Sequence, residues 1–282
     1  MIAVVDYQKG NLKSVERGLI AAGGEALITA DASEIAKADA IVLPGVGAFA
    51  DAAATMCELG QMEAIRDRVR AGVPFLGICL GEHLMFEHGV EGAPEGNPAC
   101  GLGLLPGTVV AMPRCDAQGK AFKVPHVGWN TIEIPACGGS AAVPPCGEGG
   151  GNAVLSSGGA GGGAARSSAA KRGLFEHGAF PGSAPQSGSE LAFPDSTPQP
   201  GSNLAFACPL FDGIAPGEYF YFTHSYIAPT GSHTIAETTH SVRFTSAVQF
   251  GERAFGVQFH PEKSSDAGAR VLANFVAIAA RG

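Results

Sequence analysis

A cysteine stands between two glycines in Gly77-Ile78-Cys79-Leu80-Gly81, directly after an apolar run and before a helix-like stretch, His83 to His88. A thiol so placed sits at a sharp strand-to-helix turn. Small neighbours let the chain fold back there while the side chain projects from the top of a sheet. The amides of a following helix favour the thiolate. Cys79 is therefore the candidate nucleophile. The other six cysteines, Cys57, Cys100, Cys115, Cys137, Cys146 and Cys208, lack that setting and read as small hydrophobes.

The second constellation is Gln258-Phe259-His260-Pro261-Glu262. Pro261 biases His260 towards an extended backbone, in which residues i and i+2 point the same way with Cα atoms about 6.6 Å apart. Glu262 can then accept from one ring nitrogen and leave the other to take a proton from a thiol. A metal reading of His260 and Glu262 lacks any accompanying ligand cluster. The third element is Pro44-Gly45-Val46-Gly47 at the end of an apolar strand. Backbone N–H groups of that loop, with the N–H of Leu80, can hold a tetrahedral oxyanion. Nucleophile, oriented base and amide donors together describe acyl transfer.

These groups need a frame that brings residues 79 and 260 together. Ile2 to Val5, Ala26 to Thr29, Ala40 to Leu43 and Val73 to Ile78 are short apolar runs of buried-strand type. Between them lie helical patterns: Leu12, Val15 and Leu19 behind a cap at Asn11, and Phe49 to Arg70 with a break at Gly60. Alternating strands and helices predict an α/β fold, a mostly parallel central sheet covered on both faces. After Gly101 closely spaced strand-like runs predict antiparallel strands: Thr108 to Met112, Tyr219 to Ile227, Thr234 to Phe244, Ala247 to Phe250 and Ala254 to Phe259. A final helix is expected over Ser264 to Ala280, with Ala267, Val271, Phe275 and Ala279 on one face.

At 282 residues the chain suits one large domain or two small ones, at about 150 residues each. Charged residues are only 16% and hydrophobic residues 45%, so most of it must fold. The net charge of -8 and the absence of a long basic run exclude a phosphate-tracking nucleic-acid binder. The first residues lack a basic n-region before an apolar stretch, and no run approaches the roughly 18 apolar residues of a membrane span, so a cytoplasmic protein with no membrane partner is expected. Seven irregularly spaced cysteines without a Cys-x-x-Cys pair argue against a disulfide framework or zinc, and no metal or cofactor is expected. Eleven of the 28 residues from Gly138 to Ala165 are glycine, and Ser, Ala and Pro dominate from there to about Phe206. The expectation is one domain over 1–282 interrupted by a flexible insertion at about 137–207, tolerated because long loops cost little closure entropy. Within it Gly188-Ser-Glu-Leu-Ala-Phe193 is echoed by Gly201-Ser-Asn-Leu-Ala-Phe206.

The Cys79 elbow, the His260-Pro261-Glu262 segment and the Pro44 to Gly47 loop, in that chemistry, resemble the class I, triad-type glutamine amidotransferases. Val4-Val-Asp-Tyr7, Gly10-Asn11, Gly101-Leu-Gly-Leu104, Lys123-Val-Pro-His-Val-Gly-Trp-Asn130, Pro209-Leu-Phe-Asp-Gly-Ile214, Tyr221-Phe-Thr-His-Ser-Tyr226 and Pro261-Glu-Lys-Ser264 narrow the resemblance to the glutaminase-subunit branch of imidazole glycerol phosphate synthases. The resemblance implies hydrolysis of glutamine, with ammonia passed to a (β/α)8-barrel cyclase subunit in a histidine-pathway heterodimer. It implies Cys79 as the thioester-forming nucleophile, His260 as base then acid, and Glu262 as its orienter. Oxyanion and substrate positions fall on Gly45, Val46, Gly47, Leu80, His83, Ser225 and Tyr226, and Val46 matches a loop thought to rearrange when the cyclase engages. Asn11, His126, Trp129 and Lys263 match positions near the subunit interface.

The chain departs from the family pattern at Glu82 and His83, where an apolar residue and a substrate-contacting Gln are usual. It departs again at the longer Tyr7-Gln-Lys-Gly10 turn and in the Gly-rich stretch. Two alternatives stand beside the main reading. The Trp129 segment weighs against the glutaminase of another synthase, and the intact Cys79, His260 and Glu262 weigh against a non-catalytic regulatory partner.

Overall fold

The computed structural model describes residues 1–134 and 208–281. Its frame is a seven-stranded sheet. The strands, numbered in chain order, begin with β1 (Ile2–Val5), β2 (Ala26–Thr29), β3 (Ala40–Gly45) and β4 (Phe75–Cys79). The helices α1 (Leu12–Ala21), α2 (Ala32–Ile35), α3 (Phe49–Glu58) and α4 (Gln61–Arg70) connect them. β1, β3 and β4 are buried at every position because both faces are covered, whereas β2 at the sheet edge leaves Leu27 exposed. Ile2 and Val4 pack with Val15 and Leu19 of α1, whereas Ala3 and Val5 pack with Phe49, Met56 and Ile65 of α3 and α4. The predicted helical break falls at Gly60, whose φ of +69° separates α3 from α4. Asn11 precedes α1 as expected, but its side chain does not cap; its carbonyl accepts from the N–H groups of Ser14 and Val15.

Behind β4 come α5 (Leu80–His83), β5 (Phe86–Gly89), β6 (Ala99–Cys100), β7 (Leu105–Ala111) and β8 (His126–Thr131). Helix therefore ends at His83, not near His88 as the sequence suggests. Phe86 to Gly89 is drawn into a strand by pairing with β6 and β7. Past the undescribed residues follow β9 (Tyr219–His224), β10 (Tyr226–Ile227), β11 (Thr234–Thr239), β12 (Arg243–Phe250), β13 (Ala254–Val257) and the closing α6 (Ser265–Ala279). The run Tyr219 to Ile227 is split at Ser225: β9 pairs with β8, and β10 with β7. Thr234 to Phe250 is one hairpin, β11 and β12, with the turn between Thr239 and Arg243 instead of after Phe244.

The large sheet runs β11-β12-β13-β4-β3-β1-β2, parallel from β13 to β2 and antiparallel at β11 and β12. A four-stranded sheet, β10-β7-β5-β6, and the two-stranded β8-β9 complete the described residues. The mostly parallel sheet with antiparallel strands in the second half is the expected α/β architecture. The insertion expected at about 137–207, with its paired six-residue echoes, lies outside the described residues, as do Cys137 and Cys146. Among the described residues no helix is long and apolar enough to cross a membrane.

Candidate active site

Strand register brings the three sequence motifs to one edge. β4 lies between β3 and β13, with Gly45 beside Cys79 and Val257 beside Ile78. The loop after β3 and the segment after β13 therefore flank the thiol. Cys79 adopts φ +55° and ψ −107°, a conformation that costs an L-residue of order 1–3 kcal/mol and persists only where the surroundings enforce it. Two glycines make the turn possible. A Cβ on Gly77 would lie 2.5 Å from the Gly81 carbonyl oxygen, and one on Gly81 only 1.8 Å from that of Leu43. The helix behind the thiol is a single turn, so its contribution is a few unpaired amides and not a long aligned dipole.

His260 Nδ1 lies 2.9 Å from Glu262 Oε1, as the His-Pro-Glu spacing predicts, and both side chains are nearly inaccessible. The His260 backbone is tied down as well: its N–H donates to the Tyr221 carbonyl and its carbonyl accepts from Ser264 Oγ. Burial opposes a charged ring, but hydrogen bonding and charge from Cys79 and Glu262 outweigh it, so the His260 pKa is pushed up to about 9. The sulfur is thus near enough to favour the imidazolium, although Nε2 forms no aligned hydrogen bond among the described residues. A thiol proton transferred to this ring would be held there in the neutral range.

A cleft of about 460 Å³ opens over the thiol. Val46, Gly47, Leu80, His83, Ser225 and Tyr226 all line it, as the sequence reading expects, and Gly45 packs behind it against Leu80. Leu80 opens α5, so its N–H has no intrahelical acceptor. The Val46 N–H, in contrast, is taken: it donates to the Tyr7 hydroxyl at 3.1 Å. Tyr7 was not anticipated as a site residue. Its ring is buried and its pKa is raised by burial, so the phenol stays protonated. Glu91 and Thr223 also line the cleft without a sequence signal, and the Thr223 carbonyl accepts from Cys79 Sγ at 4.0 Å.

His83 lines the cleft yet is turned inward, its Nε2 2.7 Å from Gln258 Oε1. Burial lowers its pKa to about 4, leaving a neutral ring. Glu82 is wholly buried with neither carboxyl oxygen partnered among the described residues, and burial, with charge from Cys79, raises its pKa well above the ordinary range and disfavours the carboxylate.

The four expected interface positions divide. On β8 the alternation of an antiparallel strand points Val127 and Trp129 outward, with Trp129 51% exposed, and turns His126 inward, 4% exposed. His126, expected near the subunit interface, is itself buried beneath the outward face of β8. The Tyr226 carbonyl can only accept, so His224 donates from Nδ1 at 2.8 Å and receives at Nε2 from His126 Nδ1 at 3.0 Å. Both rings are held neutral by burial, His126 at about 4. Lys263 is exposed with its Nζ 5.9 Å above the Tyr221 ring, which meets Trp129 edge to face; Asn11 is half-buried at the start of α1. Among the described residues no group of three or more His, Cys, Asp or Glu is placed to hold a metal ion.

A strained cysteine at the end of a parallel strand, a buried His-Glu pair in the segment after the neighbouring strand and a glycine loop across from them lie at one edge of the sheet. The chain belongs to the class-I glutamine amidotransferase family, which it matches over residues 3–133 and 188–279, and it is an enzyme of that kind. The match resumes at residue 188, inside the stretch expected as insertion. More narrowly, it falls among the HisH subunits of imidazole glycerol phosphate synthase. It is 35% identical to the subunit of Moorella thermoacetica over 97% of this chain and 93% of that one. It is 33% identical to that of Rhodopirellula baltica over 98% and 96%. Among solved structures it is similar in fold to one described as a glutamine amidotransferase, with TM-score 0.56, 15% identity and coverage of 99% and 100%. PurLQS from Thermotoga maritima gives TM-score 0.54, 14% identity and coverage of 98% and 97%.

Proposed function

We propose that Cys79, His260 and Glu262 hydrolyse glutamine in the 460 Å³ cleft and that the ammonia passes to a (β/α)8-barrel cyclase subunit held against the β8-β9 face. As a HisH-family member the chain is the glutaminase subunit of imidazole glycerol phosphate synthase, in histidine biosynthesis. The residue roles, the cyclase contact and a cytoplasmic location are the proposal. The observation that carries it is a strained thiol lining the cleft with a buried, Glu-oriented imidazole behind it, close enough to the sulfur for its charged form to be favoured.

The Cys79 sulfur, having given its proton to His260, attacks the side-chain amide carbon of glutamine and forms a C–S bond. The oxyanion is received by the Leu80 N–H and an N–H of the Gly45 to Gly47 loop. Collapse breaks the C–N bond, and His260 returns its proton to the departing nitrogen as ammonia leaves. Water then attacks the glutamyl thioester with His260 as base, and glutamate departs as the sulfur is freed. Throughout, Glu262 holds the ring and stabilises its charged form. Because the Val46 N–H is bound to Tyr7, a shift of the loop is needed for that amide to serve as the second donor, consistent with activation by the cyclase.

Glutamate release by the full chain, alone and with the barrel cyclase and its ligand, tests this. A strong rise in the complex is expected. Equal rates contradict coupling, and no turnover in either contradicts a catalytic role.

A further inference from the structure

Gln258 and His83 form a buried pair against the nucleophile that none of the steps above uses. Gln258 is completely inaccessible and His83 almost so. His83 Nε2 lies 2.7 Å from Gln258 Oε1, and Gln258 Nε2 donates to Cys79 Sγ at 3.7 Å. The placement follows from the sheet: Val257 pairs with Ile78, so the next residue on each strand is Gln258 and Cys79, and the Gln258 N–H is anchored on the Ser246 carbonyl at 3.0 Å. An amide oxygen only accepts, so His83 donates to it and the NH₂ end is left facing sulfur. The reverse orientation would set oxygen lone pairs against an atom that must become anionic.

The geometry points to Gln258 as a further catalytic residue whose amide N–H stabilises the Cys79 thiolate, with His83 as the positioning residue that fixes the amide's direction. This rests on Cys79 being the nucleophile. A hydrogen bond to an anion away from water is among the stronger kinds. It also accounts for the histidine at position 83: its donor is committed to Gln258 and not to the cleft. Other titratable groups face the sulfur or its cleft: His260 and Glu262 after β13, Glu82 in α5, Tyr7 after β1, His224 in β9 and Glu91 across the cleft. Tyr7, His83 and His224 are neutral around pH 7 and burial disfavours the charged form of Glu82, so the positive countercharge comes from His260 and the neutral donor from Gln258.

The test is iodoacetamide alkylation of the full chain across a pH series, with the rate at Cys79 read by peptide mass spectrometry, beside steady-state glutaminase kinetics. In Gln258→Leu the Cys79 midpoint should move up by about one pH unit and kcat should fall about tenfold with KM nearly unchanged. His83→Phe should shift it the same way by less, and His83→Gln, whose amide can donate to the same oxygen, should restore most of the loss. Unchanged midpoints in Gln258→Leu, with wild-type thermal unfolding, overturn the inference. Should that variant not fold, an unchanged midpoint in His83→Phe overturns it instead. If wild-type Cys79 is not alkylated ahead of the exposed Cys57, Cys100 and Cys115, the nucleophile assignment itself fails.

Discussion

Two clefts open at opposite ends of the same sheet, and the larger carries no nucleophile. At the amino ends of β1, β2, β3 and β4 a space of about 590 Å³ is bordered by Met1, Glu25, Asp39, Arg68 and Arg253. There the terminal amine meets Asp39 at 2.6 Å, and the Arg68 and Arg253 guanidinium groups donate to the carbonyls of Ala38 and Ile278. At the carboxyl ends the smaller cleft holds a cysteine at positive φ, and beside that cysteine lie an imidazole raised to about 9 and a wholly buried carboxyl whose charged form is disfavoured. Volume does not mark the site. Backbone strain and groups driven from their usual ionisation do, because such arrangements persist only where the surrounding fold enforces them.

Substitutions at the carboxyl end should cost far more activity than those at the amino end. The largest effect is expected from Cys79→Ala: glutamine-dependent synthesis by the complex should fall by ~10⁴-fold or more while ammonia-dependent synthesis persists. Loss of both activities would assign Cys79 to folding or docking. Gly81→Ala forces a Cβ into the Leu43 carbonyl and should cost ~3 kcal/mol or more in denaturant unfolding. Trp129→Ala, which truncates the exposed ring on β8, should weaken cyclase binding by about 2 kcal/mol in titration calorimetry and leave subunit stability nearly unchanged.

The pH dependence sharpens the contrast. His260 is raised from 6.5 to about 9, so its contribution to stability is complete below pH 6.5 and is lost as pH rises through 9. Glutaminase kcat should decline over the same basic limb, because the proton destined for ammonia is no longer held. His83 and His126 run the other way: each is lowered to about 4, so the stability they confer is present above pH 6.5 and is lost as pH falls towards 4. Thermal unfolding followed between those limits should show the loss, and His83→Gln should reduce it. The smallest effect belongs to Arg68→Ala at the other end: kcat unchanged, and stability lowered by about 1 kcal/mol for one carbonyl hydrogen bond.

The candidate catalytic line is legible because it is written in local sequence. Gly-x-Cys-x-Gly encodes a tight turn, His-x-Glu encodes a shared side, and apolar runs encode buried strands; the register of β3, β4 and β13 then brings them together. What escaped was set by pairing across long separations. Phe86 to Gly89 has helical composition, yet β7 claims it as a strand. His126 carries no mark of facing inward until the β8-β9 register is known. Tyr7 and Gln258 lie within local motifs, but their bonds to Val46 and Cys79 depend on contacts 39 and 179 residues away.

The most direct measurement is active-site labelling by a chloroketone analogue of glutamine, with modified peptides identified by mass spectrometry. Cys79 should be modified first, protected by excess glutamine, and spared in His260→Ala while the exposed thiols react as before. Labelling of Cys57, Cys100 or Cys115 at an equal or greater rate, without glutamine protection at Cys79, would contradict the account.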